Sequence, residues 1–284
     1  MLLEAADRIE ALRLRRAGFL SRTVPTSVGR IHLWEGRGTG QAPPLVALHG
    51  VAASATELAP LLHRLRSGAG RVFALDLPGH GWSDDPPDGL TRETLIRGLR
   101  EAIDAVLDEP AYVFGNSLGG LAAIRLAQER SERVRGLILC SPGGAAAEEA
   151  ELERFLEQFR MARWRDARRF VDRLHAGSPW YGPLIARGVR RRFQRPPLRA
   201  FLEGIRPGDL LDPEEVAAVP DPTWVVFGRA DVLMPPAHRA FFRAHLPAHA
   251  HLDEPPHLGH CPYLDRPGHL AETVLRFLRW AEER

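Results

Sequence analysis

One stretch constrains the fold more than any other. In YVFGNSLGG (112–120) a short apolar strand runs into the G-x-S-x-G of Gly115-Asn116-Ser117-Leu118-Gly119 and then into helix-like LGGLAAIRLAQER. A serine in that context sits on a strained strand-to-helix turn that lifts its hydroxyl out of a sheet. The glycines two residues away on either side are needed because a Cβ there would meet neighbouring backbone. The helix N-terminus then lies beneath the reacting atoms, where N–H groups can meet developing negative charge. A glycine-rich N-cap of a structural helix is the bland alternative; the strand before the motif and the helix after it argue against it.

The rest of the chain supplies the sheet. LVALH (45–49), RVFALD (71–76), AYVFG (111–115) and VRGLILCS (134–141) are short apolar runs without clean alternation, as strands buried on both faces of a parallel sheet should be. Helix-like segments at 57–66, 91–107 and 118–130 separate them, which is βαβ organisation. Ahead of these lie a helix over 1–17 and two strands, around 22–25 and 28–34, with Gly29 near their turn. Residues 145–206 break the rhythm, first with one long amphipathic helix or two in series and then, after SPWYGP, with a helix over 184–194. The sheet pattern resumes with PTWVVFG (222–228) and HAHLD (249–253), and a helix over 264–281 closes the chain. The expected division is a core of residues 1–144 and 216–284 with a helical lid inserted at 145–215.

A serine hydroxyl needs a base. His260, in PHLGHCPYLDRP, follows the last expected strand; Gly259 lets the chain turn before it, and residues 262–264 can begin a helix. His257 is the only serious rival. An imidazole needs an orienting carboxylate, and Asp231, in the loop after the strand at 224–228, fits better than Asp253 or Asp265. Two N–H donors should face the oxyanion, that of Leu118 and, from the loop after LVALHG, that of Val51. His49 reads as a brace for that loop, and Asp76, His80 and Asp84 as structural residues of DLPGHGWSD. Asn116 and the lid aromatics Phe155, Phe159, Trp164, Trp180 and Tyr181 are candidate pocket residues, with Met161, Phe170 and Phe193 in the same stripe. Arg190-Arg191-Arg192 reads as a solvated surface, with a carboxylate clamp as its alternative.

Several classes are excluded. A net charge of +2 gives no electrostatic case for nucleic acid. No run of about 18 apolar residues occurs, and acids and arginines interrupt the amino-terminal apolar stretches, so no membrane span or secretory segment is expected and the default placement is cytoplasmic. Two cysteines make neither a disulfide framework nor a metal site. No cofactor or metal is expected, and the expected partner is a small-molecule substrate.

LHG (48–50), DLPGHGWSD (76–84), GNSLGG (115–120), FGRAD (227–231) and GHCPYLDRP (259–267) occur in the order found in the α/β-hydrolase fold superfamily, and the chain resembles its lidded serine-hydrolase branch. The resemblance implies an α/β-hydrolase fold, a mostly parallel central sheet flanked by helices with an inserted helical lid. It implies Ser117 as nucleophile, Asp231 as acid, His260 as base, and Val51 and Leu118 as oxyanion donors. Serine rather than aspartate at the nucleophile argues against the dehalogenases and epoxide hydrolases of this fold. Carboxylesterase action on small-to-medium apolar esters through an acyl-enzyme is the leading expectation. Asn116 resembles the meta-cleavage-product carbon–carbon hydrolases, but VAASA after HG and Cys261 after the histidine depart from their pattern. A non-catalytic binding protein of the same fold is the alternative of another class.

Overall fold

The apolar segments pair into one eight-stranded sheet in the computed structural model, which describes residues 2–284. β1 (Leu20–Thr26) and β2 (Gly29–Arg37) form the amino-terminal hairpin, with Gly29 at φ 114° in its turn. The remaining strands are β3 (Leu45–Leu48), β4 (Arg71–Leu75), β5 (Ala111–Asn116), β6 (Val134–Cys140), β7 (Thr223–Val226) and β8 (His251–Asp253). Their order across the sheet is β1-β2-β4-β3-β5-β6-β7-β8; β2 pairs antiparallel with β1 and β4, and every other pairing is parallel. This is the mostly parallel sheet of the α/β-hydrolase fold.

Successive side chains of a strand point to opposite faces, and here each face has its own core. Val46, Leu48, Val113, Leu137 and Leu139 pack with the side that carries α3 (Arg92–Val106) and α4 (Leu118–Glu129). Leu45, Ala47, Tyr112, Phe114 and Ile138 pack with α2 (Ala59–Leu65) and α12 (Pro267–Glu282). Both faces are apolar, so the central strands show no alternation in sequence. The helix α1 (Leu2–Arg16) leaves this plan. Its Ala11 and Leu14 join the α2 side, while its first turn packs on the lid, where a Cβ on Gly188 would lie 2.5 Å from that of Leu3.

Between β6 and β7 the chain forms α5 (Glu149–Glu157), α6 (Trp164–Leu174), α7 (Gly182–Phe193), α8 (Pro196–Gly204) and α9 (Pro213–Ala217). The first expected helical stretch is therefore two helices, parted at 158–163, where Met161 takes φ 43°. The short helices α8 and α9 have no counterpart in the sequence reading. Both begin on proline, which looks like a break but suits the first helical turn, where a missing N–H costs no bond. After β7 comes α10 (Pro236–His245). The closing helix is split into α11 (Pro262–Asp265) and α12, which begins on Pro267. No helix among the described residues is long and apolar enough to cross a membrane.

Candidate active site

The carboxyl ends of β3, β5, β7 and β8 feed the loops that carry the expected residues. Ser117 stands between β5 and α4 with φ 55° and ψ −118°, a conformation few non-glycine residues adopt. Backbone bonds hold it there. Ser117 N–H donates to Cys140 O at 3.2 Å, and its own carbonyl accepts from Gly120, Leu121 and Gly143 N–H. The glycines answer to close approach. A Cβ on Gly115 would run into the carbonyl of Gly119, and one on Gly119 would lie 2.5 Å from Leu48 O.

His260 is 1% exposed and lies 2.9 Å, Nδ1 to Oδ2, from Asp231. The other Asp231 oxygen accepts from the N–H groups of Leu233 at 2.9 Å and Met234 at 3.1 Å. Burial alone would raise the Asp231 carboxyl. His260, through charge and hydrogen bond, and the Met234 N–H outweigh it and hold the group below the usual carboxylate range. The carboxylate thus stays ionised, and Nδ1–H of His260 donates to it, leaving Nε2 free to accept a proton. The rivals are engaged elsewhere. His257 is exposed and packs edge-on against His269; Asp253 accepts from Trp224 Nε1 and Arg276, and Asp265 accepts from Ala176 N–H. Gly259 is required for a reason other than turning, since a Cβ there would sit 2.5 Å from Ala176 N in the lid.

The loop after β3 approaches the serine closely enough that a Cβ on Gly50 would lie 3.3 Å from that of Ser117. Val51 N–H has no acceptor among the described residues, and Leu118, the first residue of α4, has no intrahelical one. His49 braces this loop, donating from Nδ1 to Gly50 O at 2.8 Å and accepting Leu77 N–H at Nε2. Asp76 binds the loops together through His32 Nδ1, Ala55 N–H and Trp82 N–H.

Ser117 lies where two arms of the cavity meet. One, of about 370 Å³, is lined by Leu118, Leu121, Phe155, Phe159, Phe201 and Met234. The other, of about 470 Å³, is bordered by His260, Phe170, Trp180, Tyr181 and Phe193. Tyr181 is oriented by donating its hydroxyl to His175 Nε2 at 2.7 Å. One expectation needs correction. Trp164 borders neither arm; as the first residue of α6 it stands at a helix end and is 42% exposed. Asn116 does border the second arm, and it is fully buried with its carboxamide occupied. Nδ2 donates to Cys140 O and His260 O, each at 2.9 Å, and Oδ1 accepts from Tyr263 at 3.2 Å. It ties the serine's strand to the histidine's loop.

Several lining groups were not anticipated. Leu2, Leu3, Ala6 and Asp7 of α1 wall the second arm, together with Glu57 and Arg192. Arg192 is not on a solvated surface. It pairs with Asp7 and Glu57 and donates to Ala52 O at 3.2 Å. Nothing in the local pattern around residues 7, 57 and 192 announces this meeting; the arginine run was its sole trace.

Two imidazoles near the loops, His80 buried and His238 half-buried, resist protonation. Burial pushes His80 down to about 3 and His238 to about 4. Each binds a proton in the unfolded chain below about pH 6.5 that the folded chain refuses, so stability falls as pH drops. The loss is about 1.4 kcal/mol per pH unit per group, or roughly 2 kcal/mol each between pH 6.5 and 5. Urea unfolding at pH 7 and pH 5 should show a clearly lower midpoint at pH 5; an equal or higher one would contradict the burial of neutral imidazoles.

Comparison with known proteins agrees with this fold. A sequence profile described as alpha/beta hydrolase family matches residues 45–273. The pimeloyl-[acyl-carrier protein] methyl ester esterase of Nitrosomonas europaea is 33% identical over 81% of the chain and 93% of its own length. The 2-hydroxy-6-oxo-6-(2'-aminophenyl)hexa-2,4-dienoic acid hydrolase of Metapseudomonas resinovorans is 27% identical over 84% of the chain and 85% of its own. Among solved structures, the carboxylesterase CesB of Bacillus subtilis superposes with a TM-score of 0.76 over 95% of this chain and 98% of its own, at 21% identity, a likeness of fold. The helix α1 lies ahead of the matched stretch.

Proposed function

The chain belongs to the alpha/beta hydrolase family, and from that premise we propose that it is a carboxylesterase with Ser117 as nucleophile, His260 as base and Asp231 as the orienting acid. The observation that carries this reading is the placing of the strained Ser117 and the Asp231-bound His260 on one cavity. His260 Nε2 takes the serine proton as Oγ adds to an ester carbonyl; the N–H groups of Val51 and Leu118 receive the oxyanion. The imidazolium then protonates the leaving alcohol, and a water activated by the same base releases the acid. The apolar walls favour an uncharged acyl chain of small to medium length.

The surroundings of Asn116 favour ester over carbon–carbon cleavage. Its side chain serves the scaffold, so asparagine before the serine has an explanation without a diketone substrate. A graded series of acyl-chain esters assayed beside a 2-hydroxy-6-oxo-dienoate should show an optimum in acyl length and little dienoate cleavage. A kcat/KM for the dienoate a hundredfold above the best ester, about 2.7 kcal/mol of transition-state preference, would replace this reading with the carbon–carbon one.

A further inference from the structure

The two arms are not equivalent, and His260 makes the difference. Ser117 and Val51 border both, but His260 borders only the arm under α1. An imidazolium that protonates the leaving oxygen must have that oxygen within hydrogen-bond reach. The leaving alcohol therefore extends on the His260 side, and the acyl chain enters the opposite arm, whose walls near the serine are Leu118, Leu121 and Met234.

The leaving-group arm carries charge. Arg192 of α7 meets two carboxylates there, Asp7 of α1 and Glu57 of the turn before α2, and the three side chains are only 16–22% exposed. Asp7 is held on its other oxygen by the Thr56 hydroxyl at 3.2 Å and the Ser54 hydroxyl at 3.4 Å. Glu57 is bound at Oε1 alone; its Oε2 makes no hydrogen bond among the described residues, and the residue borders the cavity. A lone guanidinium in this wall would welcome an anion. Burial, with Asp7 beside it, pushes the Glu57 carboxyl up against the pull of Arg192. With that guanidinium already matched by two acidic groups the wall offers no free charge to an anion, and ionised Glu57 leaves an acceptor ready for a donor.

We propose that this arm selects esters whose leaving alcohol carries a further hydroxyl and rejects those whose leaving alcohol carries a carboxylate, with Glu57 and Asp7 as the specificity-determining residues. This rests on the esterase reading above. A hydroxyl on the alcohol donates to Glu57 Oε2. A carboxylate in the same place is buried beside like charge, with Arg192, the cation lining this arm among the described residues, already paired.

The test uses three butyrate esters with a common acyl group: n-butyl, 4-hydroxybutyl and 3-carboxypropyl. The wild-type chain should favour 4-hydroxybutyl over 3-carboxypropyl by tenfold or more in kcat/KM. In Glu57→Gln that ratio should fall at least fivefold. Asp7→Asn should lower it in the same direction, and gives the readout even where Glu57→Gln fails to fold. A purely structural role would change all three esters in proportion and leave the ratio where it was; that result overturns the inference. A wild-type ratio near one overturns it too, while the esterase reading survives. Absence of Ser117-dependent turnover for all three would sink both.

Discussion

Ser117→Ala is expected to lose roughly 10⁵- to 10⁶-fold in kcat on a good ester while folding as the parent does. The strained turn is held by the serine's own N–H and carbonyl, bonded to Cys140, Gly120, Leu121 and Gly143, and none of these bonds uses the hydroxyl. Its removal abolishes the covalent step and leaves the cavity walls in place, so the variant should still bind a substrate or product. Residual turnover above about 1% of the parent, with contaminating esterase excluded, would remove Ser117 from the mechanism.

Asp231→Asn should cost about 10⁴-fold and His260→Ala at least as much. The asparagine can still accept from Leu233 and Met234 at one atom. At the other it presents either an N–H, which cannot accept from His260 Nδ1, or forces the imidazole into the tautomer whose Nε2 carries the proton. Adding either change to Ser117→Ala should lower the rate almost no further, because residues acting as one unit fail together. His257→Ala and Asp253→Asn are the controls and should be mild. A His257 variant worse than the His260 variant would transfer the role of base to an exposed residue outside the cavity, and the geometry here would be the wrong guide.

What could be read in the sequence and what could not divide along a physical line. The elbow was legible because its constraint is local: a serine forced to positive φ needs its neighbours stripped of Cβ atoms, and Gly115 and Gly119 record that need. The central strands were legible as well, since burial on both faces leaves an uninterrupted apolar run. The helices α8 and α9 were hidden by prolines that serve as first-turn residues. The lid stripe misled at Trp164, because an amphipathic period says which side of a helix is apolar, not which neighbour covers it or where the helix ends. Least legible was the Asp7–Arg192–Glu57 contact. It joins three segments far apart in the chain, and charged residues in helices ordinarily face water. Gly259 shows a subtler gap: a glycine before the histidine is plain in the sequence, but its reason is the nearness of the lid backbone, which only the folded chain reveals.

The tie made by Asn116 bears on how such a chain can change over generations. Its one carboxamide fastens the end of β5 to the backbone of His260 and to Tyr263, all within the sheet-bearing part of the molecule. Ser117, Asp231, His260, Val51 and Leu118 likewise lie outside the stretch between β6 and β7. The roof touches the loops of these groups at few points, chiefly where Cys261 N–H donates to Leu174 O and where Arg192 donates to Ala52 O. Away from those contacts, mutation can redraw that roof, lengthening a helix or exchanging its aromatics, and alter what is admitted while the spacing of hydroxyl, imidazole and carboxylate is kept. A chain built this way can acquire a new diet before it needs any new chemistry.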